Sequence, residues 1–108
     1  MKFLLVSLMA VSALSAAQGK QSFTGIVTDS MCAKADHSSM RMGPTDAECA
    51  QNCVLAHNAY YVLFDGKDAF TLSDQEAPEK LAGQKVRVVG TLDAKTRTIQ
   101  VESIAAVK

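Results

Sequence analysis

The sequence has no excess of charge of either sign. It carries 11 Lys and Arg against 11 Asp and Glu among 108 residues. Nucleic-acid-binding domains present a basic patch or stripe, whereas here the pairs Lys34 with Arg41 and Lys85 with Arg87 stand apart along the chain. We therefore expect no nucleic-acid partner.

Familiar catalytic motifs are also missing. There is no serine, histidine and acid arrangement, no glycine-rich phosphate loop and no C-x-x-C-H haem-attachment motif. Internal repeats and low-complexity tracts are absent as well, and the length fits a single domain. These absences remove the familiar reasons to propose an enzyme, and the sequence does not reveal a physiological role.

No apolar run is long enough to span a bilayer comfortably. The nearest one, residues 3–11, follows Lys2 and precedes a small-residue stretch at residues 12–17, which is the pattern of a secretory signal peptide. We expect cleavage before Gln18, and export of a single domain, residues 18–108, to the periplasm or beyond. No cysteine follows the run closely, which argues against a lipid anchor, and no membrane span is expected after cleavage.

The remaining chain is rich in short β-type segments. Asp65-Gly66 separates two of them and marks a hairpin, because glycine adopts the positive φ that a tight turn needs. The predicted strands cover residues 22–29, 60–64, 68–72, 85–92 and 96–102. We expect a mainly β fold, a small five-stranded OB-like barrel or roll.

One helix is predicted between the first and second strands. Thr45 and Glu48 form a capping box, and Asp46 adds favourable charge near the helix start. The helix should run from Asp46 to His57, within a Cys/His-containing insertion at about residues 30–58. Its helical spacing places Cys49 and Cys53 on one face, one turn apart.

Every cysteine and histidine of the chain lies in this region. Cysteines 32, 49 and 53 are an odd number, so disulfides cannot pair all of them within one chain. Three thiolates and one imidazole suit zinc or copper(I). We predict a metal site formed by Cys32, His37, Cys49 and Cys53, and interpret His57 as a helix-end charge.

Two alternatives remain open. A disulfide from Cys32 to Cys49 or Cys53 would stabilise an exported chain by about 3 kcal/mol, and the protein would then be an OB-like module that binds a partner or an oligosaccharide. A thiol redox protein is the third interpretation, because Cys49 lies in the first turn of the helix. Asp29 is interpreted as a turn former.

The residues also resemble a family. The segments G-I-V-T-D-S-M-C at 25–32, C-x-x-x-C at 49–53, Y-Y-V-L-F-D-G at 60–66 and G-Q-K-V-R-V-V-G-T-L at 83–92, with His37, are similar to an uncharacterised family of small secreted bacterial proteins. The resemblance implies an OB-like β tail and a recurring D-x-x-C, His and C-x-x-x-C head. It implies nothing about a substrate. Ala33 departs from the glycine expected after the first cysteine.

Overall fold

The computed structural model describes residues 19–108. The predicted signal peptide, residues 1–17, lies outside the described residues. Five strands, one long helix and one short helix follow one another along the chain: β1 (Gln21–Asp29), α1 (Asp46–His57), β2 (Tyr61–Phe64), β3 (Ala69–Leu72), α2 (Ala77–Lys80), β4 (Lys85–Asp93) and β5 (Thr98–Ala106). Within residues 19–108, no helix is long and apolar enough to cross a membrane.

The five strands form one sheet that closes in a ring in the order β1-β2-β3-β5-β4. Four of the five pairings are antiparallel. The fifth is a short parallel pairing in which Thr71 and Leu72 of β3 lie opposite Thr98 and Ile99 of β5. The predicted mainly β, five-stranded fold with one helix between the first and second strands is confirmed.

Strand β1 belongs to two pairings at once. Its first part, residues 21–26, pairs with β4, and its last part, residues 26–29, pairs with β2. Gly25 lies near this change of partner, where any Cβ atom would collide with the carbonyl oxygen of Phe64. A side chain at position 25 is therefore excluded by the close approach of β2.

The interior of the ring is apolar. Its buried members come from the strands, from the α1 face and from the segment after α2: Val27, Ala50, Tyr61, Leu63, Leu72, Ala82, Val86, Val88 and Ile99. The Val27 side chain points from β1 into this core. Because successive side chains of a strand alternate between faces, Asp29, two residues later, lies on the same face. The core thus positions a carboxylate at the end of β1.

The ends of α1 are those the sequence predicts. Thr45 Oγ1 accepts a hydrogen bond from the Glu48 backbone N–H at 3.1 Å, and the helix covers Asp46 to His57. Asn58 ends it in the left-handed conformation, with φ of 56°. One face of α1, including Ala47, Ala50 and Val54, packs on the core, which fixes the rotation of the helix about its axis.

In the described part of the chain, Tyr61 is the one core residue with a polar side-chain atom that lacks a partner. Its side chain is buried, and its hydroxyl has no hydrogen-bond partner among residues 19–108. Burial, followed by the negative charges of Glu79 and Asp29, raises the pKa of Tyr61 to about 12. The folded protein therefore retains the phenol proton well beyond the pH at which an unfolded chain, with a pKa of about 10, releases it.

We expect the free energy of unfolding to fall as the pH rises from about 10 to about 12, because the unfolded chain binds fewer protons than the native chain there. Tyr61→Phe should remove roughly 2 kcal/mol of this alkaline loss and leave neutral-pH stability unchanged or raised, since the unsatisfied hydroxyl is gone. Denaturant titrations at several pH values measure the free energy of unfolding of both proteins. The matched control is Tyr60→Phe, because Tyr60 is 47% exposed; equal effects of the two substitutions would contradict the prediction.

Candidate metal site

The buried polar side chains of the described residues concentrate at one place. Thr28, Asp29 and His37 are the buried polar or charged residues within residues 19–108, and Cys32 is buried beside them. Potential ligand atoms of Asp29, Cys32 and His37 all lie within 4.8 Å of one another. This Asp29, Cys32 and His37 group, at the end of β1, could hold a metal ion.

Asp29 shapes the backbone of the site as well as its charge. Its Oδ1 accepts hydrogen bonds from the backbone N–H groups of Met31 at 2.9 Å and Cys32 at 3.0 Å. These bonds cap the 3-10 turn Ser30–Cys32, and the Thr28 hydroxyl donates to the Cys32 carbonyl at 2.8 Å. Cys32 is thereby folded back against the end of the strand from which Asp29 projects.

The second carboxylate oxygen of Asp29 has no such partners. Asp29 Oδ2 and His37 Nδ1 are both buried and neither makes a hydrogen bond within the described chain. The two atoms are 4.0 Å apart, too far for a hydrogen bond. A buried carboxylate with an unpaired oxygen is unfavourable, because the interior solvates charge poorly. A cation between Oδ2 and Nδ1 would satisfy both atoms.

Local turns bring His37 to this position. The Ala35 N–H donates to the Cys32 carbonyl at 2.8 Å, and Ala35 has a positive φ of 58°. Asp36 Oδ1 then accepts hydrogen bonds from the backbone N–H and the hydroxyl of Ser38, at 3.0 and 2.7 Å. Between these two turns, the His37 side chain points inward and is 2% exposed.

Cys49 and Cys53 of α1 are fully buried, but neither belongs to the Asp29, Cys32 and His37 group, and the two thiols have different surroundings. Cys49 Sγ accepts a hydrogen bond from the Met42 N–H at 2.9 Å and donates to the Met40 carbonyl at 3.5 Å. For Cys53, the Asp29 carboxylate and the Cys32 thiol are instead the charged or ionisable groups with the largest effects on the pKa of the thiol. All three cysteines are free thiols, so the disulfide of the alternative interpretation is not formed.

The thiols near Asp29 hold their protons tightly. Burial, followed by the charge of Asp29 and smaller effects of Cys49 and Asp36, raises the pKa of the Cys32 thiol. Burial, then the charge of Asp29, the neighbouring thiols and a hydrogen bond to the Asp29 side chain, raise the pKa of Cys53 to about 11. Nucleophilic redox cysteines need a low pKa, so both environments disfavour a reactive thiolate in the absence of a cation.

Of the predicted ligands, Cys32 and His37 come together in the group, and Asp29 joins them. Sequence reasoning assigned Asp29 to the turn alone, and the structure gives its two oxygens two different surroundings. The signal that could have identified it is the spacing D-x-x-C, in which one carboxylate oxygen caps the turn that carries the cysteine. His57 lies at the exposed end of α1, as interpreted from the sequence.

A comparison with known protein families finds a match in the second half of the chain, outside the candidate site. Residues 56–107 match the model of a family described as Protein of unknown function (DUF5818). This part of the chain is similar to that family. No curated protein and no solved structure matches the chain. The match includes β2 to β5 and begins after Cys53, so the residues of the candidate site lie before it.

The charge of Asp29 can be tested on the thiols it faces. Asp29→Asn keeps an oxygen that can accept from Met31 and Cys32 but removes the charge, so the pKa of Cys53 should fall below 11 and stay above that of an exposed thiol, since burial remains. NMR of carbon-labelled cysteines against pH in metal-free protein measures the change. Glu102→Gln, an exposed loss of the same charge, is the control; unaltered titration in Asp29→Asn would contradict the assignment.

Proposed function

We propose that this protein is an exported, non-catalytic domain that binds one zinc ion through Asp29, Cys32 and His37. The observation that carries the proposal is the pair of buried atoms without hydrogen bonds, Asp29 Oδ2 and His37 Nδ1. Native proteins rarely leave buried polar atoms unpaired, and carboxylate oxygen, imidazole nitrogen and cysteine sulfur are the ligand types that zinc takes in proteins.

The separations suit a small cation. Tetrahedral zinc with ligands at about 2.0–2.3 Å requires ligand atoms about 3.3–3.8 Å apart. Asp29 Oδ2 and His37 Nδ1 are 4.0 Å apart, and the whole group lies within 4.8 Å. Closure by at most about 1.5 Å would bring the donors to zinc distances.

The donor types favour zinc over copper(I). Copper(I) prefers sulfur ligands, whereas carboxylate oxygen, imidazole nitrogen and thiolate together are ligands of zinc. Methionine sulfur, which would favour copper, is not concentrated in the buried group: Met31 and Met40 are 45% and 40% exposed. A divalent cation also offsets the Asp29 charge and favours the thiolate of Cys32.

Zinc binding can be measured on the purified metal-free chain in competition with a chromophoric chelator. We expect one ion per chain, and a gain in unfolding free energy of about 2.7 kcal/mol when free zinc is 100 times the Kd. His37→Ala should weaken binding by roughly 100-fold or more, because it removes a ligand rather than an outer-shell partner. His57→Ala is the matched control and should bind as tightly as the wild type. Failure to bind zinc, or equal losses in both variants, would refute the proposal.

Export has its own test. When the full chain is expressed in a bacterium with a periplasm, the periplasmic protein should have the mass of a chain beginning at Gln18. A charge in the apolar run, introduced as Leu5→Arg, should block export because it interrupts the hydrophobic segment that the export machinery binds. A chain that keeps Met1 and stays in the cytoplasm would contradict this part of the proposal, whatever the outcome of the zinc titration.

A further inference from the structure

We infer that Thr28 is a positioning residue of the zinc site, whose hydroxyl fixes the Cys32 backbone so that the Cys32 thiol is in place before the ion binds. This inference rests on the proposed zinc binding and goes further, because it assigns part of the zinc affinity to a side chain that does not touch the ion. Thr28 precedes Asp29 in β1, so both residues act from the end of the same strand.

The Thr28 hydroxyl is held in place by the fold. Its side chain is fully buried, and strand pairing sets Thr28 opposite Val62 of β2. Thr28 Oγ1 donates a hydrogen bond to the Cys32 carbonyl oxygen at 2.8 Å. Breaking this bond would leave a buried hydroxyl without a partner, which is unfavourable. The bond is therefore a stable feature of the folded, metal-free chain.

Both peptide groups that flank Cys32 are fixed by hydrogen bonds. Asp29 Oδ1 accepts from the Cys32 N–H at 3.0 Å, which holds the peptide before the cysteine. Thr28 Oγ1 and the Ala35 N–H both donate to the Cys32 carbonyl, each at 2.8 Å, which holds the peptide after it. With both peptides held, the direction of the Cα–Cβ bond is set, and rotation about χ1 is the freedom that remains to Sγ.

The role of Thr28 can be separated from the role of the ligands. Within residues 19–108, Asp29 and Thr28 are the residues whose side chains bond to the Cys32 backbone, and Asp29 is itself a proposed ligand. A substitution at Thr28 therefore changes the positioning of Cys32 and leaves all three ligands in the chain. Valine suits this purpose, because it has nearly the shape of threonine and a similar preference for strands but no hydroxyl.

Loss of the hydroxyl should weaken zinc binding. A ligand that is ordered before binding loses less conformational entropy when the ion arrives, so preorganisation contributes to affinity. Removing a partner outside the ligand shell typically weakens metal binding by about 10–100-fold. Thr28→Val removes one of the hydrogen bonds that hold the Cys32 peptides and leaves the others, so we expect a loss of about 10-fold, the lower end of that range.

Chelator competition on folded, metal-free protein measures this loss. Thr28→Val should bind zinc about 10-fold more weakly than the wild type, whereas Thr28→Ser keeps the hydroxyl and should bind nearly as tightly. Thr24→Val, the same change at an exposed position of β1, is the matched control and should keep the wild-type affinity. A merely structural contribution would lower the free energy of unfolding without changing the zinc affinity of the folded chain. Wild-type affinity in Thr28→Val, or equal losses in Thr28→Val and Thr28→Ser, would overturn the inference.

NMR of the wild-type chain keeps the inference testable if Thr28→Val does not fold. A buried, hydrogen-bonded hydroxyl exchanges slowly with water, so the Thr28 hydroxyl proton should be visible without metal and persist in the zinc-loaded chain. A hydroxyl proton that is not visible without metal would contradict the ordering of Cys32 before binding. These outcomes are distinct from a wild-type chain that binds no zinc, which would refute the proposed function itself.

Discussion

The arrangement of this protein depends on one buried carboxylate. Asp29 uses one oxygen to organise the turn that follows β1 and leaves the other, 4.0 Å from the His37 imidazole, without a hydrogen bond in the described chain. An isolated negative charge in the interior is unfavourable, and here it also makes the neighbouring thiols harder to ionise. A cation reverses each of these effects at once, because it neutralises the carboxylate and stabilises the thiolates.

The β ring provides rigid support for this charge. Strand β1 is held by β4 along its first part and by β2 along its last part, and the core residue Val27 fixes the face from which Asp29 projects. Helix α1 packs on the same core through Ala50, and its residues Cys49 and Cys53 are fully buried. Strand and helix are thus positioned by apolar packing, whereas hydrogen bonds within the turns place Cys32 and His37.

Local signals in the sequence were sufficient for much of this fold. The capping box at Thr45 and Glu48 predicts the start of α1, because a helix start is a local hydrogen-bonding problem. The parallel pairing of β3 with β5 was not predicted, since it depends on the path of the whole chain. The surroundings of the site residues likewise depend on the path of the chain and not on local signals. Helical spacing puts Cys49 and Cys53 on one face, but the path of residues 33–45, which brings the Met40 carbonyl and the Met42 N–H to Cys49, decides which thiol bonds to the backbone.

The register between β1 and β2 has a further consequence. A slip of one residue would exchange the two faces of β1 and turn Asp29 outward, where water could solvate its charge. The same slip would expose Val27, whose burial contributes roughly 1.5–3 kcal/mol. In the metal-free chain the polar end of β1 and its apolar middle thus favour opposite registers. A bound cation would remove that conflict, so that every residue of the strand favours the same alignment.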